Sequence, residues 1–228
     1  MTVGEIIQKN RERLAIIRSP YNPITGYGST SIPREEVYIK DCPIERMFLP
    51  ETFAKTGFVR KLIETGFHGY IKFVLKQGVS DKIKNELWTS FCQERIKYDF
   101  EYWAYSCIQI SAKGKGKDIP FLLNRAQRHY LKELERLRMA NVPIDIILCK
   151  ARQWGGSTLT QLYMLWIQLI HRSNWNSAIC GHIETAARNV AGMLQKAVDK
   201  MPLWATGGIR IKTNPYQGSQ KTRSIKIG

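Results

Sequence analysis

One segment constrains the fold of this chain more than any other. The apolar run Ile144-Asp145-Ile146-Ile147-Leu148-Cys149 leads into Lys150-Ala151-Arg152-Gln153-Trp154-Gly155-Gly156-Ser157-Thr158, and a long apolar-periodic stretch begins at Leu159. A short apolar run closed by a glycine turn reads as a strand, and the stretch behind it reads as a helix through about Ile170. Strand, glycine loop and helix, in that order, make the layout of a phosphate-binding loop. The spacing is irregular. The usual pattern, G-x-x-x-x-G-K-[ST], begins with glycine and carries lysine ahead of its hydroxyl residue. Here Lys150 takes the first place and Gly156 the place of the lysine.

A bound phosphate needs N–H groups turned inward, a helix N-terminus behind them, and a cation. Gly155 and Gly156 let the backbone come close. Ser157 or Thr158 places a hydroxyl in the first helical turn, suited to Mg²⁺ or phosphate, and Lys150 and Arg152 bring cations to the front of the loop. A Gly-Gly turn capped by Ser157 would satisfy the same N–H groups with no ligand at all. The pattern by itself leaves both readings open.

The surroundings alternate between strand and helix. Strands are expected over 108–111, 144–149, 176–182, 209–212 and 224–227. Helices are expected from about Asn124 to Met139, where Leu131, Leu134 and Leu137 form an apolar stripe, and over 184–200, with Val190, Leu194 and Val198 four apart. Pro143 follows the first of these as a stop signal. Such alternation indicates an α/β domain with a largely parallel sheet over residues 101–228. Residues 1–100 read instead as a mostly helical extension. They hold a short helix over 3–17, a turn-rich stretch over 19–29, helical patches over 44–78 broken at Gly57, Gly66, Gly69 and Gly78, and one or two helices over 81–107. The boundary falls near 100–110.

The formal net charge of +16 favours a polyanionic partner, nucleic acid foremost, over a basic face with no specific role. Residues 205–228 concentrate this charge. Arg210, Lys212, Lys221, Arg223 and Lys226 occur there with no acidic residue, a pattern able to follow a phosphate backbone, or simply a basic tail. A hydrophobic fraction of 43% supports a real core and excludes wholesale disorder. No apolar run approaches the roughly 18 residues of a membrane span, and the charged N-terminus is no secretory signal. Cys42, Cys92, Cys107, Cys149 and Cys180 are odd in number and form no Cys-x-x-Cys pair, which argues for reduced thiols in a cytoplasmic compartment. His68, His129, His171 and His182 lack metal-ligand spacing.

Tyr102-Trp103-Ala104, a strand, a basic turn, and Pro120-Phe121-Leu122-Leu123-Asn124-Arg125-Ala126-Gln127 resemble the region ahead of the ATPase core in tailed-phage terminase large subunits. These are the ATP-driven motors that package double-stranded DNA into procapsids. Lys150 to Thr158 resembles the deviant phosphate loop of the same family, and together the two motifs cover about residues 96–200. The resemblance implies an incomplete RecA-like P-loop ATPase core that takes ATP and Mg²⁺. It assigns the adenine-recognising glutamine to Gln127 and the phosphate cation to Lys150. Arg152 becomes a stabiliser of charge on the transferring phosphoryl group. Gln153, Gly155, Gly156 and Thr158 complete the nucleotide loop, and Ser157 is the Mg²⁺-ligand position. Implied partners are double-stranded DNA, the portal or procapsid and a small terminase subunit, in a ring oligomer with no membrane, within the cytoplasm of an infected or prophage-carrying bacterium. His182 and Glu184 stand where such families carry a coupling segment, or merely open a helix.

Hydrolysis needs an acidic pair at the end of a later strand. Between 140 and 228 only Asp145, Glu184 and Asp199 are acidic, and none follows an apolar strand in that way. The expectation is therefore a front part of the motor, ending before the acidic strand and the family's nuclease, with little or no ATPase activity alone. A helicase-like nucleic-acid ATPase fragment and a non-catalytic basic DNA-binding or assembly protein are the alternatives.

Overall fold

A computed structural model describes residues 2–18, 21–111, 116–149, 154–171, 177–178, 184–206, 213–216 and 224–227. Helix α1 (Val3–Arg18) opens the chain. Thr2 Oγ1 accepts from the Glu5 N–H and the Glu5 carboxylate accepts from the Thr2 N–H, a reciprocal cap that satisfies donors otherwise orphaned at a helix start. After the turns of 21–31 come β1 (Arg34–Tyr38) and β2 (Arg46–Pro50), an antiparallel hairpin with Val37 opposite Met47. Val37, Met47 and Leu49 turn inward and are buried. The expected helical patches start later. They are α2 (Glu51–Ala54), α3 (Gly57–Thr65), capped by the Thr56 hydroxyl, and α4 (Phe67–Gly69), which runs into a π-helical turn over Tyr70–Val74. Mixed strand and helix thus replace the mostly helical reading of 44–54. Alternation in β1 leaves only Val37 buried, too weak a signal to show in the sequence.

Helix α5 (Asp81–Arg95) is capped by Ser80, and α6 (Phe100–Cys107) by Asp99, whose carboxylate accepts from the Tyr102 N–H. The short antiparallel pair β3 (Gln109–Ser111) and β4 (Asp118–Pro120) leads to α7 (Arg125–Met139). Helix α8 (Gly156–Trp166) continues in a π-helical turn over Ile167–His171. Helix α9 (Glu184–Asp199), a 3₁₀ turn at Leu203–Thr206, and the antiparallel pair β5 (Thr213–Tyr216) and β6 (Ser224–Ile227) complete the described elements.

The protein is a mixed helix and sheet fold, but the sheet is not the expected one. Every strand pair among the described residues is antiparallel and two-stranded. The segment 144–149 is not a strand. It has no ladder partner among the described residues, and Ile147 is 99% exposed. An apolar β-branched run marks a strand only if a neighbour accepts its hydrogen bonds. Its expected parallel neighbours, 176–182 and 209–212, lie almost wholly outside the described residues. The strand at 224–227 does form, paired antiparallel to β5.

One apolar core runs from Val37 to Val198. Phe100 sits at its centre, with ring centroids 5.5 Å from Trp103, 5.4 Å from Tyr163 and 5.5 Å from Trp166. Trp166 donates its indole N–H to the Ile96 carbonyl at 2.8 Å, and Gln93 donates to the Trp204 carbonyl at 2.6 Å, so packing is continuous across residue 100. Burying the polar edge of an indole is tolerable because it finds an acceptor. No helix among the described residues is long and apolar enough to cross a membrane.

Beneath the 21–31 turns lies a cluster of buried charges. Arg34 meets Asp99 with both terminal nitrogens at 2.8 Å and Glu101 at 2.9 Å; Arg95 meets Asp99 at 2.9 Å. Arg95 also donates to the Ile24 carbonyl at 2.6 Å, which pins the turns to α5. Burial alone would raise the Asp99 carboxyl, but Arg34 and Arg95 overcome it and hold the group down at about 2.

Candidate functional site

Helices α7 and α8 carry the glycine loop between them, and their register is locked at one end by a buried hydrogen-bond triad. Tyr163 of α8 donates its phenol to Glu135 of α7 at 2.6 Å, while Arg138 grips the same carboxylate at 2.9 and 2.7 Å. Glu135 is 1% exposed, so its charge is tolerated only because both partners face it. Burial first, and the facing Glu135 carboxylate second, push the Tyr163 phenol far above its ordinary range and keep it a donor.

At the other end the loop itself is clasped. Asn124 caps α7 by accepting from the Gln127 N–H at 2.9 Å, and Gln127 Oε1 accepts from the Asn124 N–H at 2.9 Å, a full capping box. The remaining ends of both amides reach into the loop. Asn124 Nδ2 donates to the Trp154 carbonyl at 3.0 Å, and Gln127 Nε2 donates to the Gly155 carbonyl at 2.9 Å. The indole of Trp154 lies edge-on to Tyr130, 6.1 Å between centroids, and its N–H is buried without a hydrogen-bond partner among the described residues.

Gly155 stands just ahead of α8 with φ 85°, ψ 17°, the left-handed region that L side chains rarely enter. A Cβ there would also lie 2.5 Å from Gln127 Nε2, and one on Gly156 would lie 2.6 Å from the Trp154 ring. The positive φ calls for glycine at 155, and at 156 a side chain would displace the Trp154 ring. The Gly155 carbonyl accepts the first helical bond, from the Leu159 N–H at 3.1 Å. Among the described residues helix α8 takes no side-chain cap, so the N–H groups of its first turn lack the hydroxyl acceptor expected of a plain turn. Ser157 is exposed there. Thr158 turns aside toward Met193, Oγ1 to Sδ 3.9 Å. An uncapped helix start of this kind presents partial positive charge to an anion.

The sequence-derived site is thus partly assembled. Gln127, Gly155, Gly156, Ser157 and Thr158 come together at one helix start. Lys150, Arg152 and Gln153 lie outside the described residues, as do Arg210, Lys212, Lys221, Arg223 and His182. Lys226 lies in β6, its backbone opposite Asn214. Glu184 opens α9 and pairs with Arg188 one turn on. Among the described residues no group of three or more His, Cys, Asp or Glu side chains could hold a metal ion. Ser157 offers a single exposed oxygen, which fits Mg²⁺ that arrives on a triphosphate and retains water, not Mg²⁺ held by protein alone.

The sequence pattern alone does not single out Asn124 as a loop contact. Its signal was present as Asn-x-x-Gln ahead of an apolar-periodic run, the mark of a capping box. The second pair of amide contacts, to residues about 30 positions away, had no local signature. The chain matches no protein-family model, no curated protein and no solved structure.

Proposed function

We propose that the loop leading into α8 binds the phosphates of ATP, and that the chain is the nucleotide-gripping part of a terminase-like motor that moves double-stranded DNA. The observation that carries the nucleotide reading is the start of α8, uncapped among the described residues, behind a left-handed Gly155 with Ser157 exposed beside it. Oriented N–H groups and the helix dipole favour a phosphate oxygen at that place. Lys150 and Arg152, just ahead of the loop, are the cations for the β- and γ-phosphates. Mg²⁺ bound with the triphosphate supplies charge neutralisation, and the Ser157 hydroxyl gives it one oxygen. The motor reading rests on the resemblance of 102–127 and 150–158 to terminase large subunits. It carries a RecA-like core, the small subunit, the portal and ring assembly as proposals of the same rank.

The net charge of +16 supports a second reading, a basic DNA-binding or assembly protein without a nucleotide site. Titration with a fluorescent ATP analogue separates the two. The nucleotide reading expects saturable, Mg²⁺-dependent binding, weakened at least about tenfold by Lys150→Ala. The basic-protein reading expects salt-sensitive DNA binding and no saturable nucleotide binding.

A further inference from the structure

We propose that Asn124 and Gln127 are positioning residues that set the shape of the glycine loop, and that Gln127 acts on every triphosphate alike instead of reading the base. This rests on the nucleotide site proposed above and defines its substrate class as the phosphate chain. Gln127 is 3% exposed, which leaves almost none of its side chain for a ligand. Both ends of its amide are engaged. Oε1 accepts from the Asn124 N–H, and Nε2 donates to the Gly155 carbonyl. A glutamine that recognises a purine must offer one donor and one acceptor toward the base. Gln127 keeps a second N–H and a second lone pair, but at 3% exposure it could turn them to a base only by leaving the cap of α7, the hold on Gly155, or both.

The same contacts explain what the amide does instead. The Gly155 carbonyl has to point along α8 to accept from Leu159 while its own residue sits at φ 85°. The donor from Gln127 fixes that peptide plane from the side, and the donor from Asn124 fixes the preceding one at Trp154. Two adjacent peptide planes held in this way orient the N–H groups of Gly155 and Gly156 before any ligand arrives. Orientation fixed in advance strengthens binding by lowering the ordering cost.

Gln127→Glu isolates this role. Glutamate keeps the capping acceptor, so α7 retains its start, but it loses the donor to Gly155. Mg²⁺-ATP, Mg²⁺-GTP and Mg²⁺-tripolyphosphate are each titrated against the whole chain and the variant, and amide hydrogen exchange is followed with no ligand. Affinity for all three should fall by a common factor, on the order of tenfold, and exchange at Gly156–Leu159 should quicken while that of α7 holds. A loss confined to ATP, with tripolyphosphate unaffected, overturns the proposal. If the unaltered chain binds none of the three, the nucleotide site fails, and exchange alone judges the clasp: quickened exchange upholds it and unchanged exchange overturns it. Asn124→Asp, which keeps the cap and removes the donor to Trp154, should give the same pattern.

Discussion

The charge cluster under the 21–31 turns and the glycine loop solve opposite problems. Arg34, Arg95, Asp99 and Glu101 are nearly sealed from water and joined by several short contacts. Each charge there is balanced by another. At the glycine loop the side chains hold the peptide planes, while no described side chain caps the helix start. The first region turns most of its polarity on itself, with Arg34 Nε and Glu101 Oε1 left without a hydrogen-bond partner among the described residues; the second, on the proposed reading, turns its polarity toward a phosphate. Polar groups that satisfy one another specify a fold, whereas oriented groups left without a protein partner specify a ligand.

The sharpest way to test the first half of this contrast is Asp99→Ala. Removing the shared carboxylate leaves Arg95 without a carboxylate partner among the described residues and Arg34 with Glu101 alone, and unfolding in denaturant should show a loss of about 3–5 kcal/mol. A loss within about 0.5 kcal/mol would place the cluster on a solvated surface. Acid probes the same residue without mutation. Its folded carboxyl titrates at about 2, below the ordinary unfolded value. Its contribution is therefore full above an unfolded value of about 3.9, is lost as pH falls toward 2, and amounts to roughly 2–3 kcal/mol. A stability-versus-pH curve should steepen over that window, and Asp99→Asn should flatten it.

Next in size is Tyr163→Phe, which removes the α7–α8 lock and leaves Glu135 with Arg138 alone. A hydrogen bond to a buried charge is worth about 1.5–3 kcal/mol. Gly155→Ala follows. The left-handed backbone alone costs about 1–2 kcal/mol, and the clash with Gln127 displaces the clasp. Its global cost should be smaller than that of Asp99→Ala, yet its effect on nucleotide affinity should be far larger. Equal and opposite rankings would erase the distinction between the two regions. The smallest effect belongs to Asp118→Asn. Asp118 pairs with Lys196 and Lys200 and ties α9 to β4 at the surface. Amide exchange across Glu184–Asp199 should quicken, with the global unfolding midpoint unmoved.

How far each region could be read in the sequence follows from the range of its contacts. Helix α7 was legible because Leu131 and Leu134 repeat at helical spacing and Asn124-x-x-Gln127 marks its start, all within one short stretch. The glycine pair was legible because a left-handed backbone restricts residue type locally. The charge cluster was not, since Arg34 and Asp99 are 65 positions apart and nothing near either predicts the other. The β1–β2 hairpin was hidden because only one side chain of β1 is fully buried. The run 144–149 misled in the other direction: its residues favour a strand, but a strand is completed by a neighbour, and none pairs with it among the described residues.

The central claim is that the start of α8 receives a phosphate. Backbone amide chemical shifts followed during titration with Mg²⁺-ATP test it most directly. The N–H signals of Gly156, Ser157 and Thr158 should move first and furthest, with saturation at one equivalent and no matching movement around Asp99. Saturating shifts confined to other parts of the chain, with these three amides unmoved, would contradict it.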